Sequence, residues 1–151
     1  VNPVILKAFA CAPFLVGLNT EAFAILGEKG DVQDFSPGDL IVREGEAGHS
    51  LFIIVDGDVE IVKNLGAPHC VVLTQLHPGN FFGEMCVVDP VPRAATVRAR
   101  GTVRVIEITS GTLHHLFKKM PDQYAIMILN IARDMARRLR SLDEAFAVRA
   151  S

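Results

Sequence analysis

The sequence predicts an α+β fold: an antiparallel, jelly-roll-like β-roll of about eight strands, with helices before it and two helices after it. Three observations carry this. Short β-branched runs separated by glycine turns fill the stretch from Val32 to Thr109. Helical spacing of apolar residues brackets that stretch on both sides. The 151 residues, 50% hydrophobic and 21% charged, suffice for one compact core and are too apolar for a disordered chain. A single domain over 1–151 follows, with a helical start at 1–30, a roll at 31–109 and C-terminal helices at 110–146.

The elements follow in order. The apolar stretch Ala8 to Leu18 is broken by Pro13 and lacks the basic n-region of a signal peptide, so it reads as packing structure. Asn19 or Thr20 can cap a helix to about Lys29, with Ala22, Phe23, Ile25 and Leu26 as its apolar surface. The strands are expected near Val32–Phe35, Leu40–Arg43, Ser50–Val55, Val59–Lys63, Cys70–Leu76, Thr96–Ala99 and Thr102–Ile108. Turns are marked by Pro37-Gly38-Asp39, Gly45, Gly66 and Pro78-Gly79-Asn80, and Asp56-Gly57 between two apolar runs predicts a hairpin. Ser110 can cap a helix over Gly111–Lys119, and Pro121 breaks it from the next and supplies a hinge. The last helix, Asp122–Phe146, carries Ile128, Ala132, Met135, Leu139, Leu142 and Phe146 at alternating spacings of four and three.

Composition excludes several classes of function. The formal charge of -2 gives no reason to expect nucleic-acid polymers or acidic membranes as partners, although one small anion needs only a local cluster of donors. No apolar run nears the roughly 20 residues that cross a bilayer, so no membrane insertion is expected. Three cysteines, Cys11, Cys70 and Cys86, form no C-x-x-C pair, which argues for a reducing, cytoplasmic setting. His49, His69 beside Cys70, and the adjacent His114 and His115 lack metal-ligand spacing, so neither a metal nor a cofactor is expected. A cupin-type metal oxygenase would need an H-x-H pair, and His49 has none. The opening at Val1 rather than methionine reads as a piece of a longer protein.

The chemistry is concentrated in 81–97, Phe81-Phe82-Gly83-Glu84-Met85-Cys86 through Arg93-Ala94-Ala95-Thr96-Val97. Small residues let several backbone N–H groups converge on one point as an anion nest. Arg93 can present its planar fork to phosphate oxygens. Glu84, acceptor-only when ionised, suits a pair of sugar hydroxyls. Together they describe a site for a ribose phosphate.

This run resembles the phosphate-binding cassette of cyclic-nucleotide-binding domains, as found in protein kinase A regulatory subunits, nucleotide-gated channels and the bacterial catabolite activator protein. The likeness extends to Pro37-Gly38-Asp39, Glu44-Gly45-Glu46, Leu51-Phe52-Ile53-Ile54, Gly57-Asp58-Val59-Glu60 and the final helices. It implies a regulatory sensor, not an enzyme, with cAMP as ligand and cGMP as the alternative. Arg93, Ala94, Ala95 and Cys86 would hold the phosphate, and Gly83, Glu84 and Met85 the ribose. Val62, Val72, Phe82 and Val97 would face the base, with Arg138, Leu142 and Phe146 contributed by the last helix acting as a lid. Members that prefer cGMP often carry Thr or Ser after the arginine, and Ala94 therefore points to cAMP. Cys86 stands where many members have alanine and reads as a small packed thiol. Three uses of the last helix stay open: a covering stripe, a lid, and a homodimer seam. Arg133, Arg137 and Arg140 share a face read as solvated. A ligand-free, degenerate member serving as an interaction module is the alternative function.

Overall fold

The structure, a computed structural model, describes residues 2–89 and 91–150. Its strands are β1 (Asp31–Phe35), β2 (Leu40–Val42), β3 (Ser50–Asp56), β4 (Val59–Lys63), β5 (Val71–Leu76), β6 (Phe81–Phe82), β7 (Thr96–Ala99) and β8 (Val103–Thr109). They form two four-stranded antiparallel sheets, ordered β1-β8-β3-β6 and β2-β7-β4-β5. The helices are α1 (Pro3–Cys11), α2 (Thr20–Glu28), the short α3 (Met85–Val88), α4 (Ser110–Lys119) and α5 (Pro121–Ala150).

Strand alternation builds two cores from one sheet. On β3, Phe52 and Ile54 point between the sheets, where they meet Val59, Leu76, Val97 and Ala99 of the opposite sheet. The intervening Leu51 and Ile53 point outward and join Ile106, Ile108 and the helical residues Ile5, Phe9, Leu116, Met127 and Ile131. Burial on both faces is why Leu51-Phe52-Ile53-Ile54 is an unbroken apolar run and not an alternating one.

The expected Asp56-Gly57 hairpin is corrected. β3 and β4 lie in different sheets, and the turn is a corner between them. The doubly buried β3 already has β8 and β6 as its neighbours. Gly57, at φ 80°, packs so closely that an added Cβ would lie 2.3 Å from the Thr102 carbonyl oxygen.

Four elements escaped the periodicity: α1, capped by the Asn2 side chain; a 3-10 turn at Pro13–Leu15; the two-residue β6; and the one-turn α3. The last helix runs on to Ala150, past the expected Phe146. Its buried residues are Gln123, Met127 and Ile131, while Leu139, Leu142 and Phe146 of the expected seam are exposed. The first half of α5 is therefore packing, and the helix is exposed beyond Arg138.

That first half is also bonded to the N-terminal segment. The Asn130 amide donates to the Phe14 and Val16 carbonyls at 3.0 and 2.8 Å, and the Gln123 side-chain oxygen accepts from the Asn19 N–H at 2.8 Å. Two side-chain amides thus staple α5 to the N-terminal segment. Among the described residues no helix is long and apolar enough to cross a membrane.

Candidate functional site

A cavity of about 480 Å³ opens where β6, α3 and the 91–97 segment meet the second sheet and α5. One side of it is the cassette. The chain leaves β6 through Gly83 at φ 82°, a left-handed turn that brings its backbone against Arg93. Arg93 Nη2 donates to the Ser50 carbonyl at 3.0 Å, and Nη1 donates to the Gly83 carbonyl at 3.5 Å. The guanidinium lies 5.7 Å from the centre of the Phe52 ring. A Cβ on Gly48 would stand 2.9 Å from Arg93 Nε, so the β2–β3 loop also presses close. That loop fixes the Arg93 backbone from both ends, its Glu46 carbonyl accepting from the Arg93 N–H at 2.7 Å and the Arg93 carbonyl accepting from the Gly45 N–H at 2.9 Å.

The electrostatic consequence is specific. Arg93 is oriented by neutral carbonyls, and among the described residues no carboxylate lies within ion-pairing distance of it. A half-buried guanidinium without a counter-charge favours an anion in the space it faces.

Glu84 precedes α3 and makes no capping bond with its side chain, which leaves the carboxylate at the cavity wall. Its nearest cation is Arg138, with Nη1 3.7 Å from Oε1. Arg138 also donates to the Phe81 carbonyl at 3.0 Å, lies 4.8 Å from the centre of the Phe81 ring and pairs with Asp134 at 2.7 Å. It therefore anchors α5 at the rim beside Glu84. Burial pushes the Cys86 thiol up, against a smaller lowering by Arg93, so the sulfur stays protonated at neutral pH.

The structure brings Gly83, Glu84, Met85, Cys86, Arg93, Ala94 and Ala95 to one cavity, together with Phe82, Val97, Arg138 and Leu142. It does not bring Val62, Val72 or Phe146 there. Val62 is fully buried away from the cavity wall, Val72 is exposed, and Phe146 lies a turn beyond the rim on the bare end of α5. Val62 follows the lining Ile61 on β4 and so takes the opposite face, while Val72 is turned away by a bulge in the β4–β5 ladder, where Ile61 pairs with Thr74 but Val62 pairs with Val72. Leu73 is the extra residue, and it lines the wall with Ile61, Thr74 and Leu76. Sequence reasoning missed these four, as well as Val42, Gly48 and Ser141. Ile61 was within reach, because it shares a strand face with the buried Val59; the bulge that exchanges Val72 for Leu73 leaves no mark in the residue types.

Comparison with known proteins gives a consistent picture. A family model described as "Cyclic nucleotide-binding domain" matches residues 32–120. A cAMP-dependent protein kinase regulatory subunit from Blastocladiella emersonii is 32% identical over 90 residues, covering 58% of this chain and 22% of that protein. A CRP-like cAMP-activated global transcriptional regulator from Mycobacterium tuberculosis is 29% identical over 134 residues, covering 89% of this chain and 58% of that protein. The chain thus spans less than two thirds of either relative. A solved cyclic nucleotide-binding domain from Methylobacillus flagellatus superposes with a TM-score of 0.79 at 20% identity, covering 91% of this chain and 78% of that one, a likeness of fold.

Proposed function

From the premise that this chain belongs to the cyclic nucleotide-binding domain family, we propose that it is a cAMP-preferring regulatory module whose last helix closes over the bound base. The observation that carries the reading is the uncompensated Arg93 guanidinium, facing a cavity whose wall also holds the Glu84 carboxylate and the Ala94–Ala95 backbone. The cyclic phosphate takes the place of the missing counter-charge. Glu84 accepts from the ribose hydroxyl, and the purine lies along Phe82, Val97, Ile61 and Leu73. The names of the kinase and transcriptional relatives, both of them cAMP-responsive, support cAMP as the ligand. Ala94 supports the preference, since it offers no hydroxyl to a guanine amino group.

The lid reading is supported by what surrounds the mouth. Arg138, Ser141 and Leu142 reach it from α5, and Met85, Leu73 and Leu142 stand there about half exposed. Burying that apolar rim on the base gives ligand a preference for one helix position, which is the only means by which binding shifts such an equilibrium. The module acts by this repacking in the cytoplasm and performs no chemistry of its own.

Calorimetric titration with cAMP and cGMP tests the proposal. Arg93→Ala should weaken cAMP binding by about 2–5 kcal/mol, the usual cost of truncating one member of a desolvated charge pair. Ala94→Thr should raise affinity for cGMP more than for cAMP. An Arg93→Ala protein that titrates like the unmutated one would end the cassette assignment, and tighter cGMP binding by the unmutated domain would end the cAMP preference. No binding of either nucleotide would leave the interaction-module reading.

A further inference from the structure

Outside the cavity, at the end of β4, Lys63 makes two short contacts. Its Nζ donates to the Ala94 carbonyl at 2.7 Å and lies 3.0 Å from Glu44 Oε2. The other oxygen of Glu44 accepts from the Asn64 N–H at 3.0 Å, and the Glu44 N–H donates to Thr96 Oγ1 at 3.1 Å. Asn64 is at φ 59°, the one non-glycine residue in left-handed backbone among those described. That turn sets its N–H on the Glu44 carboxylate directly after Lys63. Glu44 thus joins the β2 end, the β4 end and the start of β7, and fixes the ammonium on one carbonyl.

That carbonyl belongs to the Ala94–Ala95 peptide. The unit is planar and trans, so its C=O and the Ala95 N–H point in opposite directions. Ala94 and Ala95 line the cavity, whereas Lys63 and Glu44 do not. An oxygen drawn outward to Lys63 turns the N–H inward. A cation on the oxygen also polarises the peptide and strengthens its donor, an effect of about 10–30% per bond in a chain.

We infer that Lys63, held by Glu44, is a positioning residue that aims the Ala95 N–H at the anion bound beside Arg93. For its ligand this rests on the nucleotide reading above; for its geometry it does not.

The test has a ligand-free arm and a binding arm. In ¹H–¹⁵N spectra without nucleotide, Lys63→Met should shift the Ala95 amide resonance, and Lys63→Arg, which keeps a cationic donor, should restore it. In calorimetry with cAMP, Lys63→Met should weaken binding roughly threefold to tenfold, the range for loss of one hydrogen bond. Lys63→Arg should recover most of that, and Glu44→Gln should fall between. Lys63 is 41% exposed, so these variants are expected to fold. An Ala95 resonance unmoved by Lys63→Met overturns the inference whatever binds, because a long-range charge effect alone would weaken cAMP without touching that amide. A moved resonance with cAMP affinity unchanged overturns the assigned role. A moved resonance in a protein that binds no cAMP, mutated or not, refutes the nucleotide reading and with it the ligand half of the inference.

Discussion

Gly83→Ala separates two penalties that the cassette imposes on one position. At φ 82° an L-residue carries a backbone cost of about 1–2 kcal/mol. The added methyl would also stand 2.6 Å from Arg93 Nη1 and 2.7 Å from the Ser50 carbonyl oxygen. The carbonyl belongs to β3, where Ser50 is paired to Thr109 of β8, so the Gly83 turn must back away from it and the guanidinium that the turn holds must move as well. Gly66 supplies the control: its φ is 85°, yet an added Cβ meets nothing within 4 Å. Gly66→Ala should therefore lose about 2–8 °C of melting temperature, at about 2–4 °C per kcal/mol for a domain of this size, and Gly83→Ala more, because its methyl also meets the Ser50 carbonyl. Only Gly83→Ala should also lose cAMP affinity, by about 2–5 kcal/mol, as though Arg93 had been stripped from its anion. At least a thirtyfold rise in Kd corresponds to the lower bound, at about 1.4 kcal/mol per factor of ten. Thermal denaturation and calorimetry on the two variants side by side give both readouts. Equal cAMP affinity in Gly83→Ala and Gly66→Ala would refute the claim that close approach of the glycine backbone places Arg93.

Two further outcomes are expected. Glu84→Gln should cost about 1.5–3 kcal/mol in cAMP binding, the range for a hydrogen bond to a charged group, and should remove most of the distinction between cAMP and 2′-deoxy-cAMP. A full deoxy penalty in the mutant would place the ribose elsewhere. Truncation after Arg137 keeps the buried Met127 and Ile131 but removes Arg138 and Leu142, so it should leave the fold intact and speed cAMP release. Hydrogen exchange on the whole chain should show 138–150 gaining protection with cAMP, and equal protection with and without it would make that half of α5 static.

The roll was legible because its turns need glycine and its strands need apolar alternation, both of which are written in residue types. The Asp56-Gly57 corner was not, since the same two residues serve a hairpin and a crossing between sheets. The polar side of the candidate site was legible for a local reason: Gly83, Glu84 and Arg93, which line one cavity, fall within one short segment. Their supports were not. Ser50, Gly48 and Lys63 reach Arg93 or Ala94 from distant parts of the chain, and the sequence carries no trace of those distances. The cavity wall differs from the expected one at Val62, which alternates with the lining Ile61, and at Val72, which a single extra residue in β5 turns to the other face.

The amide staples give α5 a passenger. Asn130 holds Phe14 and Val16, and Gln123 holds Asn19, so a rotation of the helix near Pro121 takes the 3-10 turn and the start of α2 with it. Phe14 in turn rests on Phe81, with ring centres 4.7 Å apart, and Phe81 lends its carbonyl to Arg138 at the cavity rim. The path is a closed mechanical loop: rim to helix, helix to N-terminal turn, turn to β6 and back to the rim. In the proposed closure, a nucleotide that displaced Arg138 would open this loop at the cavity rim, and the N-terminal helices would be coupled to the tip of α5.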